Sequence, residues 1–328
     1  DMDRAVAAAE KAAAIDDDIA QVRYALGRVY YRKTDYESAE LEFLRAIDRD
    51  ENLVDAYHEL GHAYYRQGEM ALAEEKYKEA IRREPNNWVF HNSLGMLYDN
   101  TGRHLDAIAP FTTVTTIAPN VHYGYYNLGI TYYELADLDR ALEWFNKSRQ
   151  ASDTQSSEAD YFESVADVKS ALDDFSTSAE NWRKVVAITP KVFHPWMQLG
   201  DALYFANDER GAREAWAIAD SLARAYVDVG GPDDNKALAA VAKIAAVTNN
   251  RPAVTDHLDQ LLGLQHLGSE DHVRITTIFE TIGNRNSALS YARQAFASGA
   301  SLFNFEVVPW LDGLRATTEF QALAQEFE

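Results

Sequence analysis

The chain has 328 residues, of which 47% are hydrophobic and 12% aromatic, so it holds ample apolar material for an ordered core. Acidic residues outnumber basic ones by 52 to 31, and the net charge of -21 disfavours nucleic acids and anionic lipids, which bind clustered Lys and Arg. The absence of cysteine excludes disulfides and thiolate chemistry, and the lack of a long apolar run argues against direct membrane insertion.

The first predicted element lies in residues 1–19. Small residues recur there at helical spacing, at Ala5, Ala9 and Ala12, where the second helix of an earlier repeat would lie. We predict that this segment is the second helix of a partial leading repeat. A start within half a repeat also favours the view that the chain is one part of a larger protein.

A fixed interval of 34 residues then predicts four regular repeats in residues 20–153. A Leu-Gly pair recurs at that interval, and each glycine is followed by a tyrosine after three residues, an alanine after twelve and an aromatic residue after sixteen. The glycines are Gly27, Gly61, Gly95 and Gly129, and the aromatic residues are Phe43, Tyr77, Phe111 and Phe145. Such a period is typical of stacked units, none of which can bury its apolar face alone.

Each repeat is predicted to be two helices joined by a turn. The leucine, the glycine and the tyrosine share one face of the first helix. A glycine inside a helix costs about 1 kcal/mol relative to alanine, so its recurrence indicates a place where a second helix comes close. We expect the alanine of the second helix to meet this glycine, with the aromatic ring filling the space beside it.

The pattern weakens downstream but keeps its register. Residues 154–228 are predicted to hold two divergent repeats, one with Ala166 at the glycine position and the other with Gly200. Residues 229–236 exceed the period and contain a Gly-Gly-Pro sequence, which predicts a hinge or linker.

Two degenerate repeats and a terminal cap complete the predicted order. The repeats occupy residues 237–300 and are indicated by Ala242, Val254, Leu258, Leu261, Thr276, Ala288, Ala292 and Ala295. A C-terminal capping helix is expected in residues 301–328 from the apolar residues Trp310, Leu311, Leu314, Phe320 and Leu323.

These residue types at these offsets resemble the tetratricopeptide repeat family. The resemblance implies an all-α fold, a right-handed α-solenoid superhelix of about eight helix-turn-helix repeats. It also implies a non-enzymatic scaffold or adaptor that binds a protein or peptide in a concave groove and so organises a multiprotein assembly. No cofactor is implied, and the residues leave open the oligomeric state and the compartment, cytoplasmic or extracytoplasmic.

The resemblance further implies which side chains line the groove, since fixed positions of each first helix point into it. These positions are Tyr24, Arg28, Tyr31 and Arg32 in the first repeat, His58, His62, Tyr65 and Arg66 in the second, Asn92, Met96, Asp99 and Asn100 in the third, and Tyr123, Tyr126, Tyr133 and Glu134 in the fourth. Later repeats contribute Glu163, Asp167, Met197, Asp201 and Tyr204. Tyrosine and arginine are enriched among residues that dominate binding energy, which favours a peptide ligand.

One short motif points to different chemistry. The segment from His58 to His62 reads His-Glu-Leu-Gly-His and matches the H-E-x-x-H pattern, in which two histidines bind zinc and the glutamate acts as general base. Its leucine and glycine are already explained by the repeat. A catalytic zinc also needs a third protein ligand, so lining of the groove is the preferred interpretation and no catalytic residue or metal site is assigned.

Three functional hypotheses therefore stand side by side. The first is a protein-binding scaffold, the second is a regulatory or sensor module of a larger effector protein, and the third is a zinc-dependent hydrolase that uses residues 58–62. A Glu59→Gln variant would separate the third from the other two, because it removes the proposed base and leaves the repeat pattern unchanged.

Overall fold

The computed structural model describes Lys11 and residues 19–151, 155–229 and 234–327. Every regular element in these residues is helical. The chain divides into two compact units, an N-terminal unit of Asp1–Ser152 and a C-terminal unit of Asp153–Glu328. Nearly all of the predicted partial leading repeat and the centre of the predicted linker, residues 230–233, lie outside the described residues.

The N-terminal unit consists of four consecutive helix pairs. They are α1 (Ala20–Arg32) with α2 (Tyr36–Arg49), α3 (Val54–Gln67) with α4 (Met70–Arg83), α5 (Trp88–Asn100) with α6 (His104–Ile117), and α7 (His122–Glu134) with α8 (Leu138–Gln150). Helices α2, α4 and α6 also pack against the first helix of the next pair. The 34-residue interval therefore corresponds to one helix pair, as predicted.

The glycine of each pair is faced by the aromatic ring of the second helix. A Cβ atom added to Gly61 would lie 2.6 Å from the Tyr77 ring, and one added to Gly95 would lie 2.5 Å from the Phe111 ring. These separations are too short for non-bonded carbon atoms, so the ring occupies the space of the missing side chain. The expectation that the aromatic ring fills the space beside the glycine is thus confirmed, and the alanines of the second helices are fully buried.

The turn inside each pair has the same backbone conformation. A residue with positive φ follows the first helix at 34-residue intervals in the N-terminal unit, at Thr34, Gly68, Gly102 and Ala136. The next residue precedes the second helix, and where it is aspartate its carboxylate accepts a hydrogen bond from a backbone N–H of the first turn, as Asp35 and Asp137 do. This cap satisfies one of the free N–H groups at the helix start.

The C-terminal unit continues with helix pairs and ends in short segments. The longer helices are α9 (Gln155–Ala171), α10 (Phe175–Ile188), α11 (Phe193–Phe205), α12 (Glu209–Asp228), α13 (Asp234–Val247), α14 (Arg251–Leu262), α15 (Ser269–Thr281) and α16 (Arg285–Ala297). None of the described helices is both long and apolar enough to cross a membrane.

The end of the C-terminal unit departs from regular stacking. Besides its pair partner α16, helix α15 packs against α13, the first helix of the preceding pair, rather than against the second helix α14. Where the sequence predicts a single capping helix, the structure has four short segments, α17 (Phe303–Glu306), a 3-10 turn (Pro309–Leu311), α18 (Asp312–Arg315) and α19 (Thr318–Gln325). Phe305, Leu311, Leu314 and Phe320 bury these segments in one cluster with the alanines of α16.

Candidate functional site: the first-helix face of the N-terminal unit

Helices α1, α3, α5 and α7 present one continuous surface, which we name the first-helix face. Hydrogen bonds between side chains 35 residues apart join three of these helices. They link His58 Nε2 to Ser93 Oγ at 2.8 Å, the amide nitrogen of Asn127 to Asn92 Oδ1 at 2.9 Å, and the amide nitrogen of Asn100 to the Tyr65 hydroxyl at 3.2 Å. Each predicted groove residue in these contacts therefore has a partner on the neighbouring first helix.

The remaining neighbours, α1 and α3, meet through a charged contact and an aromatic contact. Arg28 Nε lies 3.7 Å from a carboxylate oxygen of Glu59, and the ring centroids of Tyr31 and His62 are 6.5 Å apart. The guanidinium of Arg28 also lies over the ring of Tyr24. Burial raises the pKa of Glu59, and Arg28 partly offsets this effect. The positive charge of Arg28 at this end of the face is thus partly neutralised.

The two histidines of the H-E-x-x-H sequence are brought together, with ring centroids 4.4 Å apart. Each has a hydrogen-bond partner outside the motif: His58 contacts Ser93, and His62 Nδ1 lies 2.8 Å from the Tyr77 hydroxyl. Burial lowers the pKa of His58 to about 3 and that of His62 to about 4, so both rings stay neutral at physiological pH. In the residues that the structure describes, no group of three or more potential ligands could hold a metal ion.

The accessible part of the first-helix face consists of the other predicted residues. Arg28, Arg32, Arg66 and Met96 are exposed, and Tyr24, Tyr31, Tyr65, Asn92, Tyr126 and Tyr133 are half-buried. Arg66 is turned toward α2, where its Nε donates to the Tyr36 hydroxyl at 3.0 Å. The face thus offers flat aromatic surfaces with polar edges, framed by three arginines at the α1–α3 end.

The sequence did not predict the side-chain contacts that position this face. Glu59, Ser93 and Asn127 occupy one equivalent position in successive first helices and supply the partners described above. Asp99 accepts a hydrogen bond from Thr131 Oγ1 at 3.2 Å and lies 2.9 Å from His104 Nδ1, which raises the pKa of His104. The Tyr77 hydroxyl was also missed, although a tyrosine where the other three repeats carry phenylalanine was a visible signal.

The C-terminal unit carries a second, smaller concavity. A cavity of about 490 Å³ lies between α9, the end of α10 and the start of α11, and its lining includes Glu163, Val185, Val192 and His194. His194 Nδ1 lies 3.9 Å from a Glu163 carboxylate oxygen. One turn along α9, burial raises the pKa of Asp167 to about 8, and the neighbouring Glu163 adds to this shift.

The N-terminal unit has the features of tandem helical-repeat proteins. These features are helix pairs of constant length, a glycine faced by an aromatic ring in each pair, and a face shared by the first helices. Family profiles named TPR repeat and Tetratricopeptide repeat match residues 27–68, 58–122 and 122–148. These matched residues are similar to tetratricopeptide repeats, as the resemblance predicted, and all of them lie in the N-terminal unit. None of the curated proteins compared with the sequence matches it.

Solved structures extend the likeness of fold beyond the matched repeats. A tetratricopeptide repeat protein from Parabacteroides merdae shares 14% identity, with a TM-score of 0.57 over 89% of this chain and 98% of that chain. PilW, a type IV pilus biogenesis factor, shares 17% identity, with a TM-score of 0.55 over 62% and 92% of the two chains. A chain of the APC/C hetero-tetramer Cut9–Hcn1 shares 12% identity, with a TM-score of 0.54 over 95% and 56%.

Proposed function

We propose that the protein is a non-enzymatic scaffold that binds a peptide segment of a partner protein on the first-helix face of its N-terminal unit. The observation that carries this proposal is the set of contacts between neighbouring first helices. They hold tyrosine, asparagine and histidine side chains in fixed positions across α3, α5 and α7 before any ligand arrives. A preorganised surface loses less conformational entropy on binding than a mobile one.

The chemistry of the face indicates the kind of ligand. Tyrosine and arginine combine apolar area with hydrogen-bonding groups, and both are enriched at the energetic centres of interfaces. Arg32 and Arg66 are exposed near α1 and α3, and neither forms an ion pair with a described residue within 4.0 Å. We therefore place acidic side chains of the ligand at this end, with its apolar residues against the tyrosines. An extended or helical peptide suits such an elongated surface.

No catalytic step belongs to this proposal. The imidazoles of His58 and His62 contact Ser93 and Tyr77, and Glu59 pairs with Arg28. These contacts give all three residues of the H-E-x-x-H sequence a structural role in the first-helix face, which supports a binding surface over a hydrolase centre.

The proposal is tested by affinity capture from the native host with two matched triple variants. Tyr31→Ala/Tyr65→Ala/Tyr126→Ala removes aromatic side chains from the first-helix face. Leu44→Ala/Leu72→Ala/Leu105→Ala removes exposed apolar side chains from the second helices, where these leucines are 40%, 39% and 73% exposed. Circular dichroism establishes that both variants remain folded.

We expect the same partner to be captured by the wild type and by the leucine variant and to be lost by the tyrosine variant. Isothermal titration with the partner's binding segment should then show at least a tenfold weaker affinity for the tyrosine variant. Equal capture by all three proteins, or loss with the leucine variant alone, would place the interface elsewhere and contradict the proposal.

A further inference from the structure

The C-terminal unit contains an aromatic cluster that joins two distant parts of the chain. The Trp310 ring stacks on the Tyr204 ring with centroids 4.9 Å apart and an angle of 19° between the planes. The Phe205 ring meets it edge-on at 5.0 Å, and the Trp216 ring lies 6.4 Å away. We name Tyr204, Phe205 and Trp216 the aromatic box. Trp310 enters this box from the C-terminal segments, more than 90 residues further along the chain.

Trp310 differs from its neighbours in what it contacts. Phe305, Leu311 and Leu314 are fully buried in the cluster around α16 and hold the C-terminal segments in place. Trp310 instead packs against the cluster of α11 and α12, to which Trp216 belongs. Different side chains therefore anchor the C-terminal segments and fill the aromatic box. Phe305, Leu311 and Leu314 anchor the segments, and Trp310 fills the box.

The aromatic box is open to solvent and does not satisfy the polar group of its occupant. Tyr204 is 40% exposed, and Phe205 and Trp310 are only half-buried. The Trp216 indole N–H donates to Asp201 Oδ1 at 3.1 Å, whereas the Trp310 indole nitrogen is buried with no hydrogen-bond partner in the described part of the chain. A buried donor without an acceptor costs free energy, so Trp310 is held by aromatic and apolar contacts without a hydrogen bond from its indole nitrogen.

The backbone around Trp310 allows its side chain to leave. The residue lies in a three-residue 3-10 turn between helices of only four residues, α17 and α18. Short segments of this kind open locally at lower free energy than long packed helices do. Rotation about the bonds of the Trp310 side chain would empty the aromatic box while Leu311 remains buried.

We propose that the aromatic box is a binding site for a tryptophan-bearing peptide segment of a partner protein, and that Trp310 occupies it as a built-in competitor. The box has the flat aromatic walls that a tryptophan ring requires and an opening to solvent through which a ligand enters. Because Trp310 is tethered, its effective concentration at the box is of the order of millimolar. Only a partner segment that binds more tightly than this competitor displaces it, so the tether sets an affinity threshold.

The test uses a fluorescein-labelled peptide with the sequence of residues 305–313, which contains the chain's own Val-Pro-Trp-Leu. Its fluorescence anisotropy is measured with the full chain and with Trp310→Ala, Trp310→Leu and Trp310→Ala/Tyr204→Ala. Trp88→Ala is the matched control, because Trp88 also stacks on a tyrosine, Tyr123 in the N-terminal unit. Trp310→Leu keeps an apolar side chain at this position, so it provides a folded variant even if the alanine variant unfolds.

We expect both Trp310 variants to bind the peptide at least tenfold more tightly than the wild type and Trp88→Ala. The additional Tyr204→Ala substitution should abolish this gain, and a peptide with alanine in place of tryptophan should not bind. Equal peptide affinity of the wild type and both Trp310 variants would overturn the proposal and leave Trp310 as a packing contact. The outcome is independent of the first-helix face, whose tyrosines all lie in the N-terminal unit.

Discussion

The two units place different chemistry on their first helices. In the N-terminal unit, polar side chains of neighbouring first helices bind one another and leave tyrosines and arginines accessible. In the C-terminal unit, the end of α11 is covered by the chain's own Trp310, and a cluster of carboxyl groups on α9 borders a small cavity. The pairing of glycine with an aromatic ring is nevertheless common to both, as Gly95 with Phe111 and Gly200 with Trp216 show.

The comparison distinguishes the interior positions, which form the helix pair, from the surface positions of the first helices. The interior positions tolerate little change because each is in van der Waals contact with its neighbours. Most of the predicted groove positions on the first helices are exposed or half-buried, and they vary between tyrosine, histidine, asparagine and acidic residues without altering the helix pair. Three predictions compare the two units. They concern the interior glycines, the titratable side chains and the turns within the helix pairs.

The largest effect is expected from filling the space of the interior glycines. In Gly95→Ala and Gly200→Ala the new Cβ would lie 2.5 Å from the Phe111 ring and 2.3 Å from the Trp216 ring. We expect each substitution to lower the free energy of unfolding by about 1–3 kcal/mol, measured by urea denaturation. The exposed Leu105→Ala is the control and should change it by less than about 0.5 kcal/mol. A much smaller loss at Gly200 than at Gly95 would show that the two interiors are not equivalent.

A medium effect is expected from the buried titratable groups, which differ between the units. The pKa of Asp167 is about 8 in the folded chain against an ordinary value of 3.8, so the unfolded chain releases its proton at lower pH than the folded chain does. Between these two values the stability contributed by this group falls as pH rises. Asp167→Asn should therefore raise the free energy of unfolding at pH 9 by at least about 1 kcal/mol, with a smaller gain at pH 5.

The histidines of the N-terminal unit act in the opposite direction. Because the folded pKa values of His58 and His62 lie below the ordinary 6.5, their contribution to stability is complete above pH 6.5 and is lost as pH falls toward 4 and 3. Thermal unfolding of the wild type, Asp167→Asn and the exposed-site control Asp139→Asn across pH 5–9 distinguishes the two effects. A gain from Asp167→Asn that does not change with pH would contradict the assignment to this carboxyl group.

The smallest effect is expected at the turns within the helix pairs. The N-terminal unit uses Ala136 with φ of 57° at such a turn, whereas the C-terminal unit uses Asn207 with φ of 64°. Alanine is disfavoured in this left-handed conformation, while asparagine tolerates it and glycine adopts it freely. Ala136→Gly should raise the free energy of unfolding by up to about 1 kcal/mol and Asn207→Gly by less, as measured by thermal denaturation. An equal gain at both sites would mean that the two turns are equally strained.

The helix pairs were predictable because the contacts that define them are local and repeated. A glycine and the ring that covers it are 16 residues apart, and this spacing recurs within each unit. The position of each glycine therefore predicts which aromatic residue covers it. The hydrogen bonds of the first-helix face were not predictable, because they depend on how far one first helix is rotated against the next. The contact of Trp310 with Tyr204 spans more than 100 residues and occurs once, so no periodicity marks it.

The hydrogen bonds between residues 35 apart have a consequence for how the first-helix face can vary in sequence. The span is one residue longer than the repeat, so each bond joins two different positions of adjacent repeats. His58 of the second repeat bonds to Ser93 of the third, and Asn92 of the third bonds to Asn127 of the fourth. The surface of each repeat therefore depends on side chains of its neighbours, and the repeats are not independent of one another. Moving one repeat into another array would disturb the surface of both neighbours, so a change in this face would have to arise in adjacent repeats together.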